Sequence, residues 1–539
     1  MSRHCLNDDE PESVHIEVHL PGRLDPVRLR AAFQQALLTH PRVLAREVPG
    51  RRYRRSFAWE LTGRPDTDPV SFAGRGPDAL AQARARALAE CPPLTESPPM
   101  RLDVVRTDTG PDTGTVLLLT THHTALDAPS GLRVLATTAE QYGGTAALPV
   151  PGRVRPGRSG PASSGTGRTL RTRPVRVAPD SRPGPVRARA VGNGMVQADL
   201  PVPRRAAPNG DLPSWTVNDQ LLVATSLMVG RWNASHGRPA GPVRITMPVD
   251  DRPRGTEMPM GNGTRLVEVA MTSDDPHDAE LLLRERPAPE AVARLLGATA
   301  RRTRALKSAD GAPMGAGASL LTAPLLPVGV RGVLTRGARR AAASWTSTAL
   351  VTNLGRVPYT LDFGDAGRAT AVWFSAPARM PRGLSVAAAS TGGRLHVTLR
   401  WSRTLLGDAA GAELADLFAE SLATTSLSPA GAAPAEDASV GVASPAVAPA
   451  GVAPVGVAST GVASPAVASA EDASVGVAST AVASADDASA GDAPARDVEA
   501  SSAQGRGGSP DGPDQPGTPH PHTTPTGTHA AQDNHKRPS

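Results

Sequence analysis

The chain has 539 residues, of which 39% are hydrophobic and 3% aromatic. Residues 428–539 contain no Leu, Ile, Met, Phe, Trp or Tyr, so this segment cannot bury enough apolar surface to offset the entropy lost on ordering it. We therefore predict a folded body over residues 1–427 and a disordered, low-complexity tail rich in Ala, Ser, Pro and Gly over residues 428–539. The net charge of +6 divides into −8 on the tail and +14 on the body. A basic body suits a phosphate-bearing cofactor or an acidic carrier protein, whereas so few aromatic residues argue against a base-stacking surface for nucleic acid.

The cysteine content and the apolar segments indicate the cellular setting. Cys5 and Cys91 are the two cysteines of the chain, and one disulfide would be a poor framework for a body of this size. The N-terminus is polar and acidic and lacks the apolar core of a signal peptide. No apolar run reaches the roughly 20 residues that a membrane-spanning helix needs. These features predict a cytoplasmic protein with reduced thiols and no membrane span.

The first lobe is predicted over residues 1–150. Residues 14–20 alternate between apolar and polar side chains, which predicts a half-buried strand. Asp25 followed by Pro26 is typical of a helix start. The apolar residues that follow share one helical face; they are Leu29, Ala32, Phe33, Ala36 and Leu37. The other expected elements are a helix over residues 77–90, a buried strand over 115–121 and a helix from Asp127 to Gly143.

Residues 151–190 separate the two predicted lobes. This segment holds ten arginines among Pro, Gly and Ser, has Asp180 as its single acidic residue and shows no hydrophobic periodicity. We interpret it as a linker, either a solvated loop or a basic segment that meets the phosphates of coenzyme A or an acidic carrier. The second lobe is predicted over residues 191–427, and its alternation of helices and strands makes the body an α/β protein. Its expected helices cover 214–232, 290–307 and 408–423, and its expected strands cover 243–249, 264–271, 347–353, 371–375 and 395–402.

The segment His122-His123-Thr-Ala-Leu-Asp127 carries the residues best suited to chemistry. A histidine between a buried strand and a helix can project into a cleft. Neutral imidazole, with a pKa near 6.5, can take a proton from an alcohol, amine or thiol near pH 7. Adjacent side chains on a strand point to opposite faces, so only one of the two histidines can face the cleft. Asp127 can orient the loop or pair with an arginine, although core histidines and a helix-capping aspartate would explain the same six residues equally well.

The motif resembles the HHxxxDG motif of the condensation-domain superfamily. That superfamily includes condensation domains of nonribosomal peptide synthetases, polyketide-associated acyltransferases, wax ester synthases and chloramphenicol acetyltransferase. Further segments resemble other parts of the superfamily in the same order along the body. They are HLPGRLDPVRLRAAFQQALLTHPRVLAR (19–46), TVNDQLLVA (216–224), MPVDDRPRG (247–255) with MGNG (260–263), and VTNLGRVP (351–358).

This resemblance implies the fold and the central residue of the site. The fold would be an α/β, or α+β sandwich, arrangement of two chloramphenicol-acetyltransferase-like lobes that form a pseudo-dimer around a central tunnel. His123, next to His122, would be the general base in the tunnel and would deprotonate the acceptor that attacks an acyl thioester.

Other residues acquire roles by the same resemblance. Asp127 would hold the loop through a salt bridge to Arg252, with Arg254 as the competing partner. Asn353 and Gly355 would line the tunnel from the second lobe. The chain departs from the motif at one position, since Ala128 stands where the superfamily has Gly.

The implied activity is acyl transfer from a thioester, on coenzyme A or on the phosphopantetheine of a carrier protein, to an amine or alcohol. Such a reaction needs no metal and no permanently bound cofactor. We expect a monomer of secondary metabolite biosynthesis that acts on a small-molecule donor and acceptor, with an acyl or peptidyl carrier protein as a further partner. Two alternatives stay open. One is a catalytically silent relative that binds a carrier protein or a metabolite; the other is a glycerolipid acyltransferase, whose Phe-Pro-Glu-Gly-Thr segment this sequence lacks.

Overall fold

The structure is a computed structural model. It describes residues 6, 9–73, 78–107, 114–144, 172–180, 191–204, 214–252, 258–273, 277–282, 284, 286–308 and 325–426. These residues all belong to one compact unit that extends over residues 1–441. The predicted tail over 428–539 and most of the predicted linker lie outside the described residues.

The N-terminal lobe is built on a five-stranded sheet in the order β11-β1-β6-β5-β4, in which β11 is residues Ala371–Ser375. Its elements in chain order are β1 (Ser13–Leu20), α1 (Pro26–Thr39), β2 (Ala45–Glu47), β3 (Trp59–Leu61), β4 (Val70–Phe72), α2 (Ala79–Ala89), β5 (Met100–Thr107), β6 (Gly114–His122) and α3 (Ala128–Gly143). The backbone N–H of Arg28 donates to the Asp25 carboxylate at 2.7 Å, which caps α1 as predicted. All five residues of the predicted apolar face of α1 are buried.

The first strand is buried on both faces, so the prediction of a half-buried strand is wrong. Val14, Ile16 and Val18 pack in the core with α1 and α3. His15 and Glu17 on the opposite face are also buried, at 3% and 2% exposure. The reason is tertiary, because α2 of the same lobe and the sheet of the second lobe both cover this polar face, and Arg84 and Gln197 each donate to Glu17.

The C-terminal lobe is built on a six-stranded sheet in the order β7-β13-β12-β10-β8-β9. Its strands are β7 (Asn193–Pro201), β8 (Arg244–Asp250), β9 (Thr264–Ala270), β10 (Ala349–Arg356), β12 (Leu384–Thr391) and β13 (Arg394–Ser402). Its helices are α4 (Val217–Ser235), α5 (Asp278–Leu282), α6 (Pro289–Ser308), α7 (Val328–Ala341) and α8 (Asp408–Thr424). Helix α4 begins with a reciprocal capping box between Thr216 and Asp219. The mixed α/β, two-lobed fold expected from the sequence is confirmed.

The last strand of the first sheet comes from far along the chain. Strand β11 (Ala371–Ser375) pairs antiparallel with β1, with His15 opposite Ser375 and His19 opposite Ala371. The chain position of β11 falls beyond the predicted lobe boundary, yet its hydrogen bonds complete the N-terminal sheet. Strand β11 therefore belongs to the N-terminal sheet although its sequence lies within the predicted second lobe.

Part of the predicted linker is packed rather than solvated. Val177 and Ala178 are each 2% exposed and belong to the core of the C-terminal lobe. The indole N–H of Trp232 on α4 donates to the Ala178 carbonyl at 2.9 Å, and the Ala178 N–H donates to the Asn233 side chain at 2.8 Å. Residues 172–180 therefore pack against α4 despite their lack of periodicity. Within the described ranges, no helix combines the length and the apolar character needed to cross a bilayer.

Candidate active site

The two adjacent histidines close strand β6 and open the loop before α3. His122 is the last residue of the strand and is buried, with its backbone N–H donating to the Pro99 carbonyl at 2.9 Å. Its ring Nδ1 accepts from the Thr124 N–H at 3.1 Å. Because Nδ1 accepts there, the proton of a neutral His122 ring belongs on Nε2. His122 therefore shapes the turn from inside the lobe.

His123 is held at both its backbone and its ring. The His123 N–H donates to the Glu12 carbonyl at 2.8 Å, just before β1. Ring Nδ1 lies 3.3 Å from the Leu126 carbonyl oxygen. A carbonyl can only accept, so Nδ1 carries the proton and Nε2 keeps its lone pair. This tautomer places the basic nitrogen of His123 away from the loop.

The surroundings of His123 favour the neutral imidazole. Burial is the largest influence and lowers the pKa of His123 below its usual 6.5. The Leu126 carbonyl and Asp127 act in the opposite direction, and the positive charge of Arg400 lowers the pKa further. At neutral pH the ring is therefore unprotonated, as a general base must be.

Asp127 caps α3 and joins the two lobes. Its carboxylate accepts from the Ser130 N–H at 3.1 Å, from the Gly263 N–H at 3.1 Å and from Arg252 Nη2 at 2.5 Å. The side chains of Asp127 and Arg252 are 3% and 5% exposed. A buried ion pair is stable only when further hydrogen bonds satisfy both groups, and this pair has them. The structure thus brings Asp127 together with Arg252, while Arg254 lies outside the described residues.

Two residues of this junction were missed by the sequence interpretation. The Asn262 side-chain amide donates to the carbonyls of His123 and Thr124, each at 2.9 Å. The Ser130 hydroxyl donates to the Gly261 carbonyl at 2.9 Å and accepts from the Gly261 N–H at 3.1 Å. The Gly-Asn segment at 261–262 was itself a signal, since it matched the superfamily in order along the chain.

Ala128 fits its position without strain. It is the first residue of α3, is buried, and has no positive φ. A glycine is required where the backbone adopts the left-handed region, and this position does not adopt it. The departure from the superfamily motif therefore does not disturb the backbone of the loop.

Asn353 and Gly355 form a bulge on β10. The register of β10 against β12 shifts between these two residues, and Gly355 has φ of +72°. The Asn353 side chain accepts from the Gly355 N–H at 2.8 Å. These contacts explain the Asn-x-Gly pattern as a local turn requirement. Their place in the lining of a tunnel stays a prediction.

A cleft opens between the polar faces of the two sheets. Its volume is about 440 Å³, and it is lined by Arg84, Met195, Val196, Gln197, Asp199 and Trp373. A narrower pocket behind it reaches His15, Glu17 and Ser375 on the N-terminal sheet. Among the described side chains, no group of three or more His, Cys, Asp or Glu is placed to hold a metal ion.

Known proteins are similar to this chain over most of its length. No protein-family model matches the chain. Two uncharacterized proteins of Mycobacterium tuberculosis, Rv2305 of strain ATCC 25618 / H37Rv and MT2362 of strain CDC 1551 / Oshkosh, are each 30% identical to it, over 76% of this chain and 95% of the relative.

Solved structures show the fold. The first condensation domain of the calcium-dependent antibiotic synthetase, in complex with substrate analogue 2a, is 15% identical and has a TM-score of 0.50, over 77% of this chain and 92% of that chain. The EpoB NRPS cyclization-docking bidomain from Sorangium cellulosum is 14% identical and has a TM-score of 0.51, over 78% and 81%. The condensation-domain fold that the sequence motifs implied is thereby confirmed.

Proposed function

This chain belongs to the family of the mycobacterial protein Rv2305 and has the condensation-domain fold, and on this premise we propose that it is an acyltransferase that moves an acyl group from a thioester to an amine or alcohol. The observation that carries the proposal is the state of His123. Its Nδ1 is committed to the Leu126 carbonyl, so its lone pair is on Nε2, and burial keeps the ring neutral.

The proposed reaction uses this nitrogen twice. His123 Nε2 takes the proton from the acceptor hydroxyl or amine as the acceptor heteroatom attacks the thioester carbonyl carbon. The tetrahedral intermediate then collapses, the C–S bond breaks, and the departing sulfur receives the proton from the imidazolium. One thioester and one acceptor give one ester or amide and one thiol, and His123 returns to its neutral form.

The other residues of the site position this base. Asp127 and Arg252 fix the start of α3 against the second lobe, and Asn262 fixes the carbonyls of His123 and Thr124. Such fixation matters because correct placement of two reactants supplies much of the rate of a bimolecular reaction. We propose His123 as the catalytic residue and the others as positioning residues.

The donor class follows from charge. The body carries net +14 by sequence, which favours coenzyme A or an acidic carrier protein bearing phosphopantetheine. The chain's own residues need no bound metal for the proton transfer. We further propose a cytoplasmic monomer that makes a secondary metabolite, with the acceptor and the acyl group still to be identified.

Thiol release tests the proposal. Purified protein is offered acyl-coenzyme A and acyl-pantetheine thioesters with mixed amines and alcohols, and the free thiol is measured. We expect release that requires an acceptor, that is lost in His123→Ala and that persists in His236→Gln at the end of α4. If folded wild-type protein releases no thiol from any of these donors or from loaded carrier proteins, the catalytically silent alternative replaces this proposal.

A further inference from the structure

A fully buried arginine of the second lobe lies close enough to His123 to influence it. Arg400 is on β13, whose Leu399 and Trp401 point into the core of the C-terminal lobe. Side chains alternate along a strand, so Arg400 points the opposite way, toward the first lobe. It is 0% exposed. Burial lowers the pKa of Arg400 to about 9, which still leaves it charged at neutral pH.

The Arg400 guanidinium donates hydrogen bonds to Pro11 and Ser13, which flank the residue that binds the His123 backbone. Nη1 donates to the Ser13 carbonyl at 2.8 Å, and Nη2 lies 3.3 Å from both the Pro11 carbonyl and the Ser13 hydroxyl. Between these two residues, the Glu12 carbonyl receives the His123 N–H at 2.8 Å. Arg400 therefore fixes the residue on each side of the carbonyl that anchors His123.

The acceptors of Arg400 are all uncharged. Besides Pro11 and Ser13, Nε donates to the Asn193 side chain at 2.7 Å. The charge of Glu10 acts on Arg400 without a hydrogen bond between them, and the two nearby carboxylates bind other groups. Glu10 accepts from the Ser402 hydroxyl at 2.5 Å and from the Met380 N–H at 3.0 Å, and the Glu12 carboxylate pairs with Arg379.

A buried charge without a hydrogen-bonded carboxylate is costly, because water is lost and no directly paired opposite charge replaces it. Hydrophobic residues could join two lobes without that cost. A role of this charge at the His123 site would account for its burial. Arg400 is the second lobe's contribution to the electrostatic environment of His123, opposite in sign to Asp127.

We propose that Arg400 is a positioning residue of the active site, which fixes the His123 backbone through residues 11–13 and supplies a positive charge that no hydrogen-bonded carboxylate pairs. The inference rests on the proposed role of His123 as the base. The charge disfavours a second positive charge on His123, so the base stays available at lower pH. The grip keeps Nε2 at a fixed place relative to the second lobe.

The charged and titratable groups around His123 determine how this effect is read. Asp127 on its own loop is neutralised by Arg252, and Glu12 before β1 is paired with Arg379. Burial raises the pKa of the Cys91 thiol, whose sulfur lies 3.6 Å from the Glu12 carbonyl, to about 12, so that it is neutral. Arg400 also lowers the pKa of His15, and the charge of Glu10 acts on Arg400. The titration of His123 in an Arg400 variant is therefore read together with that of His15.

The test measures the His123 ring directly and needs no substrate. Protein labelled with ¹³C at the histidine rings is titrated by NMR, and His123 is assigned as the signal missing from His123→Ala among the chain's 13 histidines. In Arg400→Gln we expect the titration midpoint of His123 to move to higher pH. In Arg394→Gln, an exposed arginine of the same strand paired with Asp199, we expect the midpoint to stay at the wild-type value. A folded Arg400→Gln protein with an unmoved midpoint would overturn the proposal.

A second variant separates the grip from the charge and guards against a Gln variant that does not fold. Arg400→Lys keeps the charge but loses the fork of donors. We expect its His123 midpoint to remain low, while amide hydrogen exchange of His123 becomes faster and kcat falls, on the order of 10²-fold, with KM little changed. Unchanged exchange at His123 in the folded Lys variant counts against the grip.

The two proposals fail in different ways. If wild-type protein transfers no acyl group but the NMR midpoint and the amide exchange respond as expected, the proposed function fails, while the effect of Arg400 on the charge and backbone of His123 stands. If acyl transfer depends on His123 but neither quantity responds to Arg400, the function stands and the present inference fails.

Discussion

Two buried arginines of the second lobe hold the loop of His122 and His123, and their surroundings differ. Arg252 contacts the loop directly, and Arg400 contacts residues 11–13, which bind it. Arg252 meets the carboxylate of Asp127, and the two charges cancel. Arg400 meets carbonyls, an amide and a hydroxyl, so that none of its hydrogen-bond acceptors is charged. The first contact acts as a mechanical clamp on the start of α3. Arg400 acts on the same loop through its hydrogen bonds to residues 11–13 and through its positive charge. The Arg252 contact therefore fixes the position of the loop, whereas Arg400 fixes its position and also lowers the pKa of His123.

Breaking the neutralised contact has the largest expected effect on folding. Asp127→Ala leaves the buried Arg252 with the partly exposed Asp250 carboxylate, at 3.4 Å, as its remaining acidic partner. We therefore expect a loss of about 3 kcal/mol in the free energy of unfolding, at the low end for a broken buried pair. The exposed pair of Asp408 and Arg403, also at a helix start, gives the matched control. Asp408→Ala should cost less than about 1 kcal/mol.

Urea denaturation of both variants checks this prediction. A double variant, Asp127→Leu with Arg252→Met, should be more stable than Asp127→Ala because it leaves no unpaired buried charge. An Asp127→Ala protein as stable as Asp408→Ala would mean that the clamp is not a stability element.

The polar layer between the sheets contains a third lobe contact of intermediate size. Glu17 accepts from His19 and Arg84 in its own lobe and, at 3.0 Å, from Gln197 in the other. Burial acts to raise the pKa of Glu17, but the hydrogen bonds from His19 and Arg84 outweigh it and lower that pKa to about 2. We expect Glu17→Gln to lose about 1.5–3 kcal/mol at pH 7.

The sign of the pH dependence follows from this depressed pKa. In the unfolded chain the Glu17 carboxyl has its ordinary pKa of 4.5, and in the folded chain its pKa is about 2. Its stabilisation is therefore fully present above pH 4.5 and is lost as the pH falls toward 2. Unfolding free energies of wild type and Glu17→Gln, measured from pH 7 down to 3, should converge. Parallel curves would show that the carboxylate does not contribute in this way.

The smallest expected effect lies at the exposed rim of the clamp. Asn262→Ala removes two donors, to the carbonyls of His123 and Thr124, and solvent can replace both. We expect a stability loss of about 0.5–1.5 kcal/mol and a fall in kcat that exceeds any rise in KM, since the loop loosens without losing its base. Steady-state kinetics with a thioester donor test this expectation, and a change in KM alone would assign Asn262 to substrate binding instead.

Helices, strands and helix caps that depend on residues close in sequence could be predicted from the sequence. The cap at Asp25, the buried face of α1, the strand into His122 and the helix after Asp127 follow from local pattern, and the structure has them. The resemblance also named Arg252, which the structure places on Asp127.

Long-range packing was beyond the sequence. The alternation of β1 identified His15 and Glu17 as polar, but their face is buried by α2 and by the second sheet, which local sequence does not reveal. The sequence of β11 predicted a strand but did not indicate that it pairs with β1 in the N-terminal sheet. Arg400 gave no signal, because one arginine among many acquires meaning only from what lies opposite it in the folded chain.

The pH dependence of acceptor-dependent thiol release tests the central claim most directly. For wild type we predict that kcat/KM declines only below pH 6.5, because burial and Arg400 lower the pKa of His123. For His123→Ala we predict a loss of roughly 10²–10⁴-fold at pH 7 and no acid limb of this kind. Release that is equal in His123→Ala and wild type, with the same pH profile, would contradict the account.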